Sequence, residues 1–106
     1  MKILIAPEVE QYLTELIELL FDEAYFSFYE DADEYVTSLV SDIKTSLSRK
    51  LKKPAPPYFS RYGNDLYYTV FKKNKNTQWF VFFNYEDNMY YIRYIGNNHI
   101  LSQYFI

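Results

Sequence analysis

The chain has 106 residues, 49% of them hydrophobic, and this size and composition predict one globular domain spanning residues 1–106. The absence of cysteine and the presence of one histidine exclude a disulfide framework and argue against a metal site, so we expect no metal and no cofactor. The net charge of −3 hides an asymmetry, because residues 1–43 contain eleven acids and one cation, whereas residues 44–106 contain ten cations and three acids. The basic half predicts a surface that attracts polyanions, although acidic helices can also serve only for solubility.

The first half of the chain predicts a short strand followed by a helical hairpin. Residues 2–6 match a strand, and the proline that follows suits the first turn of a helix, because its missing N–H costs nothing there. Apolar residues then recur at three- and four-residue spacing, which predicts a helix over 7–26. A second helix is expected to be capped by Asp31 or Asp33 and to end before the proline-rich segment 54–57.

The second half of the chain predicts an antiparallel meander, because turn-rich segments separate three runs of aromatic and β-branched residues. Asp87 and Asn88 both tolerate positive φ, which predicts a tight hairpin turn between the last two strands. The resulting order β-α-α-β-β-β is an α+β fold with the helical hairpin packed on one sheet face. The three strand-like runs are 66–71, 79–85 and 89–95.

The side chains of the predicted sheet are aromatic on both faces. One face must pack on the helices, and the other either faces a groove or a partner, or covers a small second core. Strict alternation along the last strand places Tyr90, Ile92 and Tyr94 on one face, and Met89, Tyr91, Arg93 and Ile95 on the other.

The apolar runs of the sequence are short. The run 79–83 is too short to span a membrane, and no secretory segment opens the chain. We therefore expect a cytoplasmic location and no membrane partner.

Two segments resemble a known family. The opening "ILIAPEVEQYLTELIELLF" and the segment "SRYGNDLYYTVFKKNKNTQWFVFFNYEDNMYYIRYIGNNH" are similar to toxins of the RelE/ParE superfamily, from bacterial type II toxin–antitoxin modules. The second segment has the Tyr-Gly, aromatic-strand, lysine-rich-turn, Thr-x-Trp and Asn-Asn-His pattern of one branch. The resemblance implies the same fold: an N-terminal strand, a helical hairpin and a three-stranded antiparallel meander, with the helices on one sheet face.

The resemblance also implies a function and partners. RelE-like members are metal-independent endoribonucleases that cleave messenger RNA, usually on the ribosome, and thereby inhibit translation. ParE-like members instead inhibit DNA gyrase, and a non-catalytic binding module of the same fold is a third alternative. In the two toxin alternatives a cognate antitoxin protein neutralises the chain.

The site residues follow from the resemblance and from the chemistry of RNA cleavage. Arginines can hold a phosphate with two hydrogen bonds, and histidine exchanges protons near neutral pH. Gly96 is expected to adopt a backbone angle that other residues avoid, and the two asparagines after it to turn the chain, so that His99 lies near Arg93 and Arg61. In the alternative, these residues are only structural. The predicted catalytic residues are His99, Arg93 and Arg61, and the predicted substrate-binding residues are Lys72, Lys73, Tyr62 and Tyr104.

Overall fold

The fold is organised around a mixed sheet of five strands. The computed structural model describes residues 2–105. The strand order is β1-β5-β4-β3-β2, in which β1 runs parallel to β5 and every other pair is antiparallel. The predicted meander is confirmed as β3, β4 and β5, whereas the short edge strand β2 was not predicted. The strands are β1 (Lys2–Ile5), β2 (Lys53–Pro54), β3 (Tyr67–Lys72), β4 (Gln78–Glu86) and β5 (Met89–Asn97).

Two helices, α1 (Pro7–Asp22) and α2 (Tyr29–Ser46), form the predicted hairpin. Helix α1 ends four residues earlier than predicted, because the chain turns at Ala24, which has a positive φ of 59°. The predicted aspartate cap of α2 is wrong. Phe28 precedes the helix and makes no capping bond, so Asp31 lies in the first turn, where it interacts favourably with the helix dipole.

The face of the sheet that packs on α1 and α2 is here called the helical face. Its core contains the buried apolar stripes of both helices and the inward side chains of the sheet. One polar group in this layer is satisfied across it, because the Trp79 indole N–H donates to the Tyr35 hydroxyl at 3.0 Å. The buried helical residues are Val9, Leu13, Leu16, Ala32, Val36, Leu39 and Ile43.

The opposite face, here called the aromatic face, carries a second core. It is covered by a 3₁₀ helix at Pro57–Tyr62 and by a tail that consists of α3 (Asn98–Leu101) and a 3₁₀ helix at Ser102–Phe105. The ring of Phe59 stacks on Phe82 with centroids 4.2 Å apart. Of the two alternatives for this face, the small second core is confirmed. Its buried residues are Phe59, Leu66, Phe80, Phe82 and Leu101.

A β-bulge interrupts the alternation of β5. Phe82 pairs with Tyr94 but Phe83 pairs with Ile92, so Arg93 is an extra residue in the strand. The alternation predicted for residues 89–95 is therefore wrong beyond Ile92. Ile95 joins Ile92 on the helical face, while Tyr94 packs on the aromatic face.

The turn between β4 and β5 has the predicted form. Asp87 and Asn88 have φ values of 52° and 60°, as a two-residue hairpin turn with both central residues in the left-handed region requires.

Within residues 2–105, no helix is long and apolar enough to cross a membrane.

Candidate functional site

An open groove of about 460 Å³ lies where the start of α1, the 57–62 helix and the bulged part of β5 meet. Two guanidinium groups, three phenol rings and one carboxylate line it. We call it the arginine groove. Its lining residues are Glu8, Val9, Tyr12, Arg61, Tyr62, Arg93, Tyr94 and Ile95.

Arg93 is held by three contacts. Its Nη1 donates to Asn84 Oδ1 at 3.4 Å, and its guanidinium carbon lies 5.2 Å from the centre of the Tyr91 ring. A Cβ placed on Gly63 would lie 3.5 Å from that same carbon, so the guanidinium packs against the backbone at Gly63. Asn84 also donates from Nδ2 to the Asn64 carbonyl at 2.8 Å, which ties Arg93 to the turn that follows the 57–62 helix.

Arg61 enters the groove from the 57–62 helix. Its guanidinium carbon lies 3.7 Å from the centre of the Tyr58 ring, and its Nε donates to the Tyr58 carbonyl at 3.0 Å. Within residues 2–105 its two terminal nitrogens make no hydrogen bond, and no carboxylate forms a salt bridge with Arg61 or Arg93. Two cationic groups therefore share one groove with a single carboxylate, Glu8, and form no salt bridge with it, an arrangement that attracts an anion.

Tyrosine stacks border the arginines. Tyr62 and Tyr94 stack with centroids 3.8 Å apart, and Tyr58 and Tyr104 stack at 3.6 Å. Burial, and secondly the neighbouring Tyr94 hydroxyl, raise the pKa of Tyr62 far above its ordinary value. Burial likewise raises the pKa of Tyr12 and of Tyr94. These groove hydroxyls are therefore protonated at neutral pH and can donate hydrogen bonds.

The predicted substrate-binding residues do not all reach this groove. Tyr62 lines the groove, whereas Tyr104 does not line it and stacks on Tyr58. The Lys73 ammonium donates to Ser38 Oγ at 3.0 Å and lies 3.7 Å from Asp42 Oδ2. Both of these partners are in α2, so Lys73 packs against that helix. Lys72 is exposed at the end of β3, opposite Gln78, and does not line the groove.

His99 lies at the other end of β4 from Arg93. Its Nε2 is 3.4 Å from Thr77 Oγ1, just before β4 begins, whereas Arg93 contacts Asn84 near the end of β4. Seven residues of extended chain separate those two contacts, a distance of about 23 Å. The expectation that His99 lies near Arg93 is therefore wrong, and His99 does not line the groove that contains Arg61.

The segment around Gly96 is structural for a reason that differs from the expected one. Gly96 has no positive φ, and a Cβ at this position would lie 2.5 Å from Leu101 Cδ1, so the glycine makes room for the tail. Asn97 caps α3 by accepting from the Ile100 N–H at 3.2 Å. Asn98 accepts from the Gln78 N–H at 2.9 Å. The two asparagines thus dock the tail on the sheet without left-handed geometry.

Sequence reasoning missed three polar groove residues as site residues: Tyr12, Tyr94 and the carboxylate residue Glu8. The position of Glu8 at the start of a helix has a sufficient explanation in the helix dipole. The parallel pairing of β1 with β5 brings the start of α1 beside Arg93, and this pairing leaves no local signal in the sequence.

Comparisons with protein-family models, with curated proteins and with solved structures gave no match. Within residues 2–105, no group of three or more His, Cys, Asp or Glu side chains is placed to hold a metal ion. The functional argument therefore depends on the groove itself.

Proposed function

We propose that the protein is a RelE-like endoribonuclease that cleaves messenger RNA in the arginine groove, as the toxin of a type II toxin–antitoxin module. The observation that supports this proposal is the lining of one groove by two arginines that form no salt bridge within residues 2–105. The same groove is lined by the Glu8 carboxylate and by protonated phenols. In such a module the cognate antitoxin would block the groove, and the substrate would place the protein in the cytoplasm.

The proposed reaction is a transphosphorylation within the RNA. The ribose 2′-oxygen attacks the adjacent phosphorus and the bond to the 5′-oxygen breaks, which leaves a 2′,3′-cyclic phosphate and a free 5′-hydroxyl. In this proposal the Glu8 carboxylate accepts the proton of the 2′-hydroxyl. Arg61 and Arg93 stabilise the charge that develops on the phosphoryl oxygens.

The leaving group needs a proton, and Tyr62 is the proposed donor. A phenol is a stronger acid than a ribose alcohol even when its pKa is raised, so transfer to the 5′-alkoxide is favourable. The resulting phenolate recovers a proton from solvent, and Glu8 releases to solvent the proton that it accepted, so both groups return to their starting states. The proposal assigns no chemical step to His99, Lys72, Lys73 or Tyr104, which lie outside the groove lining.

The test is RNA cleavage by the purified protein, on free RNA and on ribosome-bound messenger RNA. Arg61→Ala or Arg93→Ala should slow cleavage about 100- to 1,000-fold, the typical effect of losing one charge-stabilising donor. Glu8→Gln should slow it about 100- to 10,000-fold. A 2′-deoxy substitution at the cleaved nucleotide should abolish the reaction, because the attacking oxygen is then missing.

His99→Ala is the matched control, since it changes an exposed residue about 23 Å from the Arg93 contact and outside the groove lining. It should retain full cleavage. A folded Arg93→Ala protein that cleaves as fast as the parent would refute the proposal. Absence of cleavage on both substrates, together with inhibition of DNA gyrase supercoiling, would support the ParE-like alternative instead.

A further inference from the structure

The connection between α1 and α2 exposes an aromatic surface far from the arginine groove. Five large apolar side chains within eleven residues point into solvent, and Tyr25 and Phe28 are 71% and 65% exposed. This density exceeds the scattered single exposures that are normal on a protein surface. We call this surface the hairpin tip, formed by Leu19, Phe21, Tyr25, Phe28 and Tyr29.

Part of the hairpin tip is ordered before any partner binds. The rings of Phe21 and Tyr29 meet edge to face with centroids 5.7 Å apart. The Tyr29 hydroxyl donates to Glu18 Oε1 at 3.1 Å. Two of the five side chains are therefore fixed relative to the helices, which lowers the entropy lost when a partner docks.

The charge around the hairpin tip has one sign. Residues 15–34 contain eight acids and no lysine or arginine. All eight are exposed: Glu15, Glu18, Asp22, Glu23, Glu30, Asp31, Asp33 and Glu34. The aromatic surface therefore lies inside an acidic rim.

The acidic rim selects among occupants. RNA and anionic lipid surfaces carry the same sign of charge and are repelled. Two hairpin tips from two copies of the chain also repel each other. A cationic polypeptide with an apolar face is attracted, because its side chains satisfy both the rim and the aromatic surface.

We propose that the hairpin tip is a docking surface for a basic, amphipathic segment of a partner protein. The apolar side chains of that segment pack on Tyr25 and Phe28, and its lysines or arginines pair with the acidic rim. This inference does not rest on the ribonuclease proposal. The tip lies at the end of α1 and the groove at its start, about 24 Å apart for a helix of 16 residues, so both can be occupied together.

The test uses a synthetic, fluorescently labelled peptide of about 15 residues, long enough to form a helix on binding, with leucines on one face and lysines elsewhere. Two matched peptides carry glutamates for the lysines, or serines for the leucines. Fluorescence anisotropy of the full chain should show binding of the lysine–leucine peptide that weakens with salt. The other two peptides should bind at least about tenfold more weakly, a difference of about 1.4 kcal/mol.

Variants locate the site. The double substitution Tyr25→Ser and Phe28→Ser should weaken binding of the lysine–leucine peptide at least about tenfold. The charge variant Asp22→Asn with Glu23→Gln should weaken it less and flatten its salt dependence. Leu51→Ser is the control, because Leu51 is 74% exposed but lies in the basic half of the chain. These residues are all exposed, so each variant should keep the parent's thermal unfolding midpoint.

Four outcomes of the binding measurements would overturn the proposal. They are equal binding of the glutamate peptide, equal binding of the peptide without leucines, binding that the Tyr25 and Phe28 substitutions leave unchanged, and no binding of any peptide. A dimer in light scattering that these two substitutions dissociate would also overturn it, since a second copy would then occupy the tip.

Discussion

The two faces of the sheet are covered in different ways. The helical face is closed by two long helices. Their aliphatic side chains pack against the sheet, and those of Leu39 and Ile43 are almost completely buried. The aromatic face is closed by short 3₁₀ segments and a tail, and its contacts are mostly between rings. Long regular helices cover a face evenly, whereas short segments leave gaps between them. The arginine groove is such a gap, at the border where the 57–62 helix meets the start of α1.

The difference also teaches where rigidity comes from. On the helical face the side chains of the sheet pack against two helices that are stabilised by their own backbone hydrogen bonds. On the aromatic face the 57–62 helix has few such bonds, so the burial of Phe59 has to hold Arg61 and Tyr62 in place. A substitution that destabilises the aromatic face should therefore also disturb the site geometry. A substitution that destabilises the helical face should leave the site geometry unchanged.

The largest expected effect tests that coupling. Phe59→Ala removes a fully buried ring stacked on Phe82 and should lower the free energy of unfolding by about 3–5 kcal/mol. Leu39→Ala, on the helical face, should lower it by about 2–5 kcal/mol. Urea unfolding measures both. Among folded molecules, RNA cleavage should fall in Phe59→Ala and persist in Leu39→Ala, and equal losses would contradict the comparison.

A second prediction concerns the docking of the tail on the aromatic face. Gly96→Ala places a Cβ against Leu101 and should lower the free energy of unfolding by about 1–3 kcal/mol. In a Leu101→Ala background the obstructing atoms are gone, so the same substitution should cost little more. A double-mutant cycle by urea unfolding measures this interaction. Additive losses would mean that the glycine matters for another reason.

The neighbouring lysines Lys72 and Lys73 give a smaller contrast. Lys73→Ala loses the bond to Ser38 and should lower the free energy of unfolding by about 1 kcal/mol, whereas Lys72→Ala should leave it unchanged. If Lys72 instead contacts a phosphate outside the groove, its loss should reduce the slope of log affinity for RNA against log salt by about 1. Thermal unfolding and salt titration of RNA binding separate the two roles.

The smallest effect is the alkaline response of the groove. The pKa values of Tyr12, Tyr62 and Tyr94 are raised in the folded state, chiefly by burial. The folded protein therefore holds more protons than the unfolded chain above about pH 10, the ordinary tyrosine value, and stability should fall as pH rises beyond it. Below that pH the stabilisation is fully present. Urea unfolding across this range measures the fall, which should be shallower in Tyr62→Phe.

Much of the fold could be predicted from local signals. The helical hairpin followed from three- and four-residue spacing, and the Asp87–Asn88 turn from residues that tolerate positive φ. The bulge at Arg93 could not be predicted, because its cause is the register between two strands and not the composition of either. The same limit applies to the two-residue strand β2, which pairs without a strand-like sequence.

The site divides in the same way. Arg61, Arg93 and Tyr62 were predicted as site residues, and the structure brings these three together in one groove. Glu8 was missed as a site residue and His99 was expected near the arginines, because both positions depend on contacts between residues distant in sequence. Whether any of these residues acts in catalysis stays a prediction.

The pairing of β1 with β5 has a consequence for how the molecule is made. Lys2 lies opposite Met89, so the first strand finds its partner only after β5 has been synthesised. Contacts this distant in sequence slow folding, because closing the long loop costs conformational entropy before the hydrogen bonds between the two strands can form. The groove needs both ends of that loop, with Glu8 near one and Arg93 near the other. During translation the groove therefore stays incomplete until β5 has left the ribosome.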